Sequence, residues 1–87
     1  VKITINGRTF RLLFTHRGIP KTDDGNCDQP ADPPGVSTIR IRPNLTRERK
    51  REVLIHELLH AARWSMSESQ VTCIAADIAT VLKENGF

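Results

Sequence analysis

The sequence predicts a single α+β domain over residues 1–87, a small antiparallel or mixed sheet packed on a two-helix hairpin. Three observations carry this. Apolar residues alternate on either side of an Asn-Gly turn within the first 14 residues. They alternate again in "STIRIR". From there to the C-terminus they recur at helical spacing, in two stretches separated by a short turn.

Taken in order, "VKITINGRTFRLLF" is a β-hairpin. Asn6-Gly7 suits a two-residue turn in which both positions need positive φ. That loop sets Ile5 opposite Arg8, Ile3 opposite Phe10 and Val1 opposite Leu12. Val1, Ile3, Ile5, Phe10, Leu12 and Phe14 then share one face. Residues 15–36 hold four of the five prolines and three of the five glycines, which predicts a long surface loop. "STIRIR" follows as a third strand, at a sheet edge, with Ile39 and Ile41 inward and its arginines in water. Thr46 caps a helix from about Arg47 to Trp64. Ser67 and Gln70 form the capping box of a second helix, whose stripe is Val71, Ile74, Ala75, Ile78, Val81 and Leu82. Asn85-Gly86 stops it.

Composition narrows the function classes. Thirteen basic against ten acidic residues give a net charge of +3, which permits acidic partners without establishing nucleic-acid binding. At 38% hydrophobic the core is modest, and a bound metal would add stability. Cys27 and Cys73 have neither metal-finger nor disulfide spacing. Lys2, Arg8 and Arg11 interrupt the apolar N-terminal stretch, so no signal peptide is expected in it, and no run is long enough to span a membrane. A reduced, cytoplasmic setting is expected.

Within "LIHELLHAARW", His56 and His60 lie one helical turn apart on one face, so two imidazoles reach one ion. Glu57 lies about 100° around the helix from His56. That is too divergent for a ligand beside the histidines, yet close enough to take a proton from a water that the metal acidifies. Solvated histidines on an amphipathic helix are the plainer alternative. The flanking Leu54, Ile55, Leu58, Leu59, Ala61 and Ala62 argue against it, because buried polar groups need partners. A third ligand follows from an antiparallel helix pair: Glu68 opens the second helix one short turn after His60. Acids also favour helix N-termini for dipole reasons alone, worth about 0.3–1 kcal/mol. Asp77 and His16 are the alternatives to Glu68.

"VLIHELLHAARW" followed by "SMSESQV" resembles the gluzincin-type zinc metallopeptidases, and most of all the very small ones encoded by bacteriophages and prophages. "GNCDQP" ahead of the strand is similar to a pattern recurrent in the phage group. The resemblance covers about residues 25–87. It implies a minimal zincin-like fold, zinc (Zn2+) on His56, His60 and Glu68, Glu57 as catalytic base, a peptide or protein substrate, and the cytoplasm of a bacterial host. Many gluzincins steady the oxyanion with a tyrosine or histidine, and this chain has no tyrosine. That leaves His16, an arginine such as Arg63, or the zinc itself, and points to weak, narrowly specific or partner-dependent activity.

Several residues have both a plain and a sharper reading. Cys27 is expected to be structural, although a thiolate in the fourth zinc position would make a latent enzyme. Cys73 is a tolerated thiol, and Trp64 is expected where the helices meet. "TRERKRE" is a solvated basic face before it is a nucleic-acid site. The expectation is therefore a zinc-dependent peptidase. Its rival is a small basic module binding nucleic acid or protein, with a structural or vestigial metal.

Overall fold

The computed structural model describes all 87 residues as β1 (Lys2–Ile5), β2 (Arg8–Phe14), β3 (Gly25–Cys27), β4 (Val36–Ile41), α1 (Arg47–Ala62) and α2 (Glu68–Glu84). The four strands form one mixed sheet in the order β1-β2-β4-β3. The architecture is the expected α+β one.

The hairpin forms as its turn dictates. Asn6 and Gly7 have φ of 49° and 76°, and Ile5 pairs with Arg8 and Ile3 with Phe10. The Leu12 amide donates to the Val1 carbonyl at 2.8 Å, completing the ladder. Phe10 is fully buried with Ile39, Ile41, Val53 and Ala61, and Ile3, Ile5 and Leu12 pack around them. Val1 and Phe14 fall outside this core and stay exposed. Phe14 instead lies under the Lys50 ammonium, 5.8 Å from its ring centre.

β2 and β4 run parallel, so residues 15–35 must cross from one end of the sheet to the other. This crossover differs from the expected loop in one respect. Gly25–Cys27 pairs antiparallel with Ile39–Ile41, so β3 takes the sheet edge and β4 lies inside. Ser37, Ile39 and Ile41 are accordingly buried. Nor do the arginines of this region stand free in water. Arg40 grips the Asp28 carboxylate at 2.9 and 3.4 Å. Arg42 donates to the carbonyls of Asp23, Ile19 and Pro20 at 2.7, 3.3 and 2.9 Å. These bonds satisfy backbone that no ladder reaches and hold the crossover against the sheet.

Thr46 caps α1 by accepting the Arg49 amide at 3.2 Å. α1 ends at Ala62, so Trp64 lies just beyond it, in the link that joins the two helices, 44% exposed. The Ser67–Gln70 capping box opens α2 with both reciprocal bonds at 3.2 Å. Among the regular elements α2 touches only α1. It buries Val71 and Ala75 there and leaves Ile74, Ile78 and Val81 exposed, so the apolar stripe is wider than the face α1 covers. No helix is long and apolar enough to cross a membrane.

Candidate metal centre

α1 sorts the three motif residues onto two faces. Val53, Glu57 and Ala61, spaced four apart, make the buried stripe that meets the sheet. His56 and His60, each one residue earlier than a member of that stripe, turn toward a cleft of about 620 Å³ between α1, β3 and the start of α2. Their Nε2 atoms converge to 3.2 Å. Glu68 reaches across from the first turn of α2 and sets Oε1 2.8 Å from His56 Nε2 and Oε2 2.8 Å from His60 Nε2.

This donor set fits a zinc ion. Two imidazole nitrogens on a tetrahedral ion, each about 2.0–2.1 Å from it, lie about 3.3 Å apart, close to the 3.2 Å found here. Two imidazoles and a carboxylate also make one of the three-ligand sets that leave a coordination position open. Protons on the nitrogens let the same atoms donate hydrogen bonds to Glu68.

Two carboxylates compete for the place beside the imidazoles. A Glu57 oxygen lies within 4.8 Å of both, but Glu57 forms no ion pair with either, whereas Glu68 touches both. Glu68 therefore has the shorter contacts of the two, although its side chain is 72% exposed. Glu57 is only 5% exposed. Burial pushes its carboxyl up from 4.5 to about 7, with Glu68 and then Asp23 adding repulsion. A cation held by the histidines would act in the opposite direction.

β3 closes the other wall. A Cβ at Gly25 would stand 2.8 Å from Val53 Cγ1 and 3.4 Å from Glu57 Oε2, so only glycine lets the strand come this close to the helix. Cys27 lines the same cleft, and its thiol donates to the Asp28 carbonyl at 3.3 Å. Burial first, then Glu57 and Asp28, pushes that thiol up to about 12 despite Arg40. Cys27 is not among the clustered ligand atoms. Farther along, Arg49 joins the crossover to α1, bonding Asp24 and Glu52 at 2.8 Å each. The Asp24 hydrogen bond is the main cause of its raised pKa; burial opposes it, and Glu52 adds to it.

The structure thus brings His56, Glu57, His60 and Glu68 together. It does not bring in Asp77, which is exposed on α2, or His16, which accepts a bond from Arg42 at 3.2 Å. Neither His16 nor Arg63 lines the cleft. Sequence reasoning missed Gly25, Asp23, Asp24, Arg49 and Glu52 as cleft residues. Their signal is a pairing between distant segments, which no local spacing betrays. Trp64, in the link between the helices, stands edge-on to His60 with ring centres 6.2 Å apart and forms part of the cleft lining.

Comparison with family models, curated proteins and solved structures finds no match to this chain.

Proposed function

We propose that the protein is a zinc-dependent peptidase of gluzincin type. The observation that carries this is the convergence of His56, His60 and Glu68 at 2.8–3.2 Å beside a buried carboxylate that makes no ion pair with them. In this reading His56, His60 and Glu68 hold the ion. Zinc, when bound, supplies a Lewis acid that polarises the scissile carbonyl and acidifies water. Glu57 accepts the proton from the attacking water and returns it to the leaving amine. Its fixed place on the buried stripe keeps the base aimed at the cleft.

An extended peptide would lie along β3, the sheet edge that borders the cleft. Asp24 and Asp28 direct backbone bonds to Arg42 and Thr38 of the β4 side. By alternation, the amides and carbonyls of Gly25 and Cys27 face the cleft and are free to pair with a substrate strand. With His16 and Arg63 outside the cleft, oxyanion stabilisation falls to the metal. The rival basic module draws less support, because within "TRERKRE" Arg49 is tied to Asp24 and Glu52 and Lys50 lies over the Phe14 ring.

Metal analysis and peptide-library cleavage test the proposal together. Glu57→Gln is expected to keep its zinc while hydrolysis falls by about 10²–10⁴-fold. Loss of zinc from that variant would make Glu57 a ligand and overturn the assignment. Zinc-loaded wild-type protein that cleaves nothing across a broad library would overturn the hydrolytic reading.

A further inference from the structure

The charge of the cleft runs against the charge of the chain. Five of the ten acidic residues line it, Asp23, Asp24, Glu52, Glu57 and Glu68, against one of the thirteen basic residues, Arg49. Arg49 is already neutralised on both sides by Asp24 and Glu52. The exposed Asp23 carboxylate meets only its neighbour, the Thr22 hydroxyl, at 3.5 Å. Glu57, 5% exposed, lines the cleft and enters no ion pair. A divalent cation at the histidines would leave the basin acidic still.

We propose that the cleft selects peptides carrying a lysine or arginine close to the scissile bond, with Asp23 and the Asp24–Glu52 rim as the specificity-determining groups. This rests on the hydrolytic reading above and names its substrate class. Glu52 precedes His56 by one helical turn, about 6 Å along α1. A cationic side chain next to the reacting carbonyl spans that distance with its aliphatic stem and reaches the carboxylates with its head. The exposed Trp64 ring at the opposite end offers an apolar wall and no competing charge. The sign of the preference is diagnostic. A net charge of +3 acting as a whole would favour acidic peptides; the cleft favours basic ones.

The test measures binding apart from turnover. Trp64 is the sole tryptophan and lines the cleft, so its fluorescence reports occupancy. Zinc-loaded Glu57→Gln protein is titrated with short tryptophan-free peptides identical except for one central lysine, arginine, norleucine or glutamate. Wild-type protein, read at times short against turnover, provides the same comparison. Basic peptides are expected to bind about tenfold or more tightly than the glutamate peptide, with the margin shrinking in high salt. Asp23→Asn should cut that margin about threefold, and Asp23→Lys should abolish it. Equal binding of lysine and norleucine peptides, or tighter binding of glutamate, would overturn the proposal. Wild-type hydrolysis of the same set separates the two readings. Preference without cleavage sinks the peptidase and leaves the basic-ligand site, whereas cleavage without preference does the reverse.

Discussion

Gly25→Ala perturbs the fold and the site through one atom. The added Cβ would meet the Arg40 carbonyl oxygen and Val53 Cγ1, each at 2.8 Å, and stand 3.4 Å from Glu57 Oε2. The backbone at Gly25 is not left-handed, so the penalty is steric. Replacing glycine by alanine ordinarily gains about 0.4–1 kcal/mol by restricting the unfolded chain. Overpacking of this kind costs about 1–3 kcal/mol, and one of the two clashing atoms is backbone that cannot rotate away. The net expectation is a loss of about 1–2 kcal/mol, which lowers Tm by about 4–15 °C in a domain this small. Thermal and denaturant melts with chelator present measure it free of any metal contribution. Val53→Ala in the same chain removes one of the two contacts. The double variant should therefore recover part of the loss, with a coupling of about 0.5–1 kcal/mol in a double-mutant cycle. An unchanged or raised Tm for Gly25→Ala would refute the close seating of β3 on α1, and with it the cleft wall.

The proposed metal ligands make the next prediction: Glu68→Ala should weaken zinc binding far more than Asp77→Ala, because only Glu68 touches the imidazoles. Zinc titrations followed by Trp64 fluorescence decide it, and greater damage from Asp77→Ala would force a new ligand set. Glu57 predicts a pH dependence in chelated protein. Its folded carboxyl, raised from 4.5 to about 7, holds a proton that the unfolded chain releases. The folded state is therefore penalised increasingly as pH climbs from 4.5 through 7, by up to about 3 kcal/mol. Glu57→Gln should stabilise the metal-free protein at pH 8 and have little effect at pH 4; an equal effect at both would contradict the burial of the charge. For the thiols, exposed Cys73 should react with a disulfide reagent at pH 8 well before Cys27, whose thiol is pushed up to about 12. Two thiols released at one rate would show Cys27 to be ionised or open.

Local chemistry made much of this molecule legible. Asn6-Gly7 determines a register, and the register assigns every side chain of the hairpin to a face. The Ser67–Gln70 box marks where α2 begins, and that places Glu68 one turn from the end of α1. What stayed hidden depends on distant segments meeting. Three residues of β3 carry no period, and the strand exists because Arg40 and Arg42 tie the crossover to β4. The stripe on α2 is visible in sequence, yet nothing local says that α1 covers Val71 and Ala75 and leaves Ile78 outside. Glu57 is the most buried member of its motif for the same reason: the sheet it meets is assembled from elsewhere.

The attachment of α2 to α1 alone has a thermodynamic consequence. Glu68 reaches the imidazoles only while α2 lies against α1, so docking of the helix and completion of the proposed three-ligand set are one equilibrium seen from two ends. A ligand captured there gives its binding free energy to a helix that otherwise rests on Val71 and Ala75. In hydrogen exchange α2 should behave as a separate opening unit whose protection rises with zinc concentration while the hairpin stays indifferent. By the same reciprocity, a partner that pulls at the exposed Ile74, Ile78 and Val81 would loosen the ion without touching it.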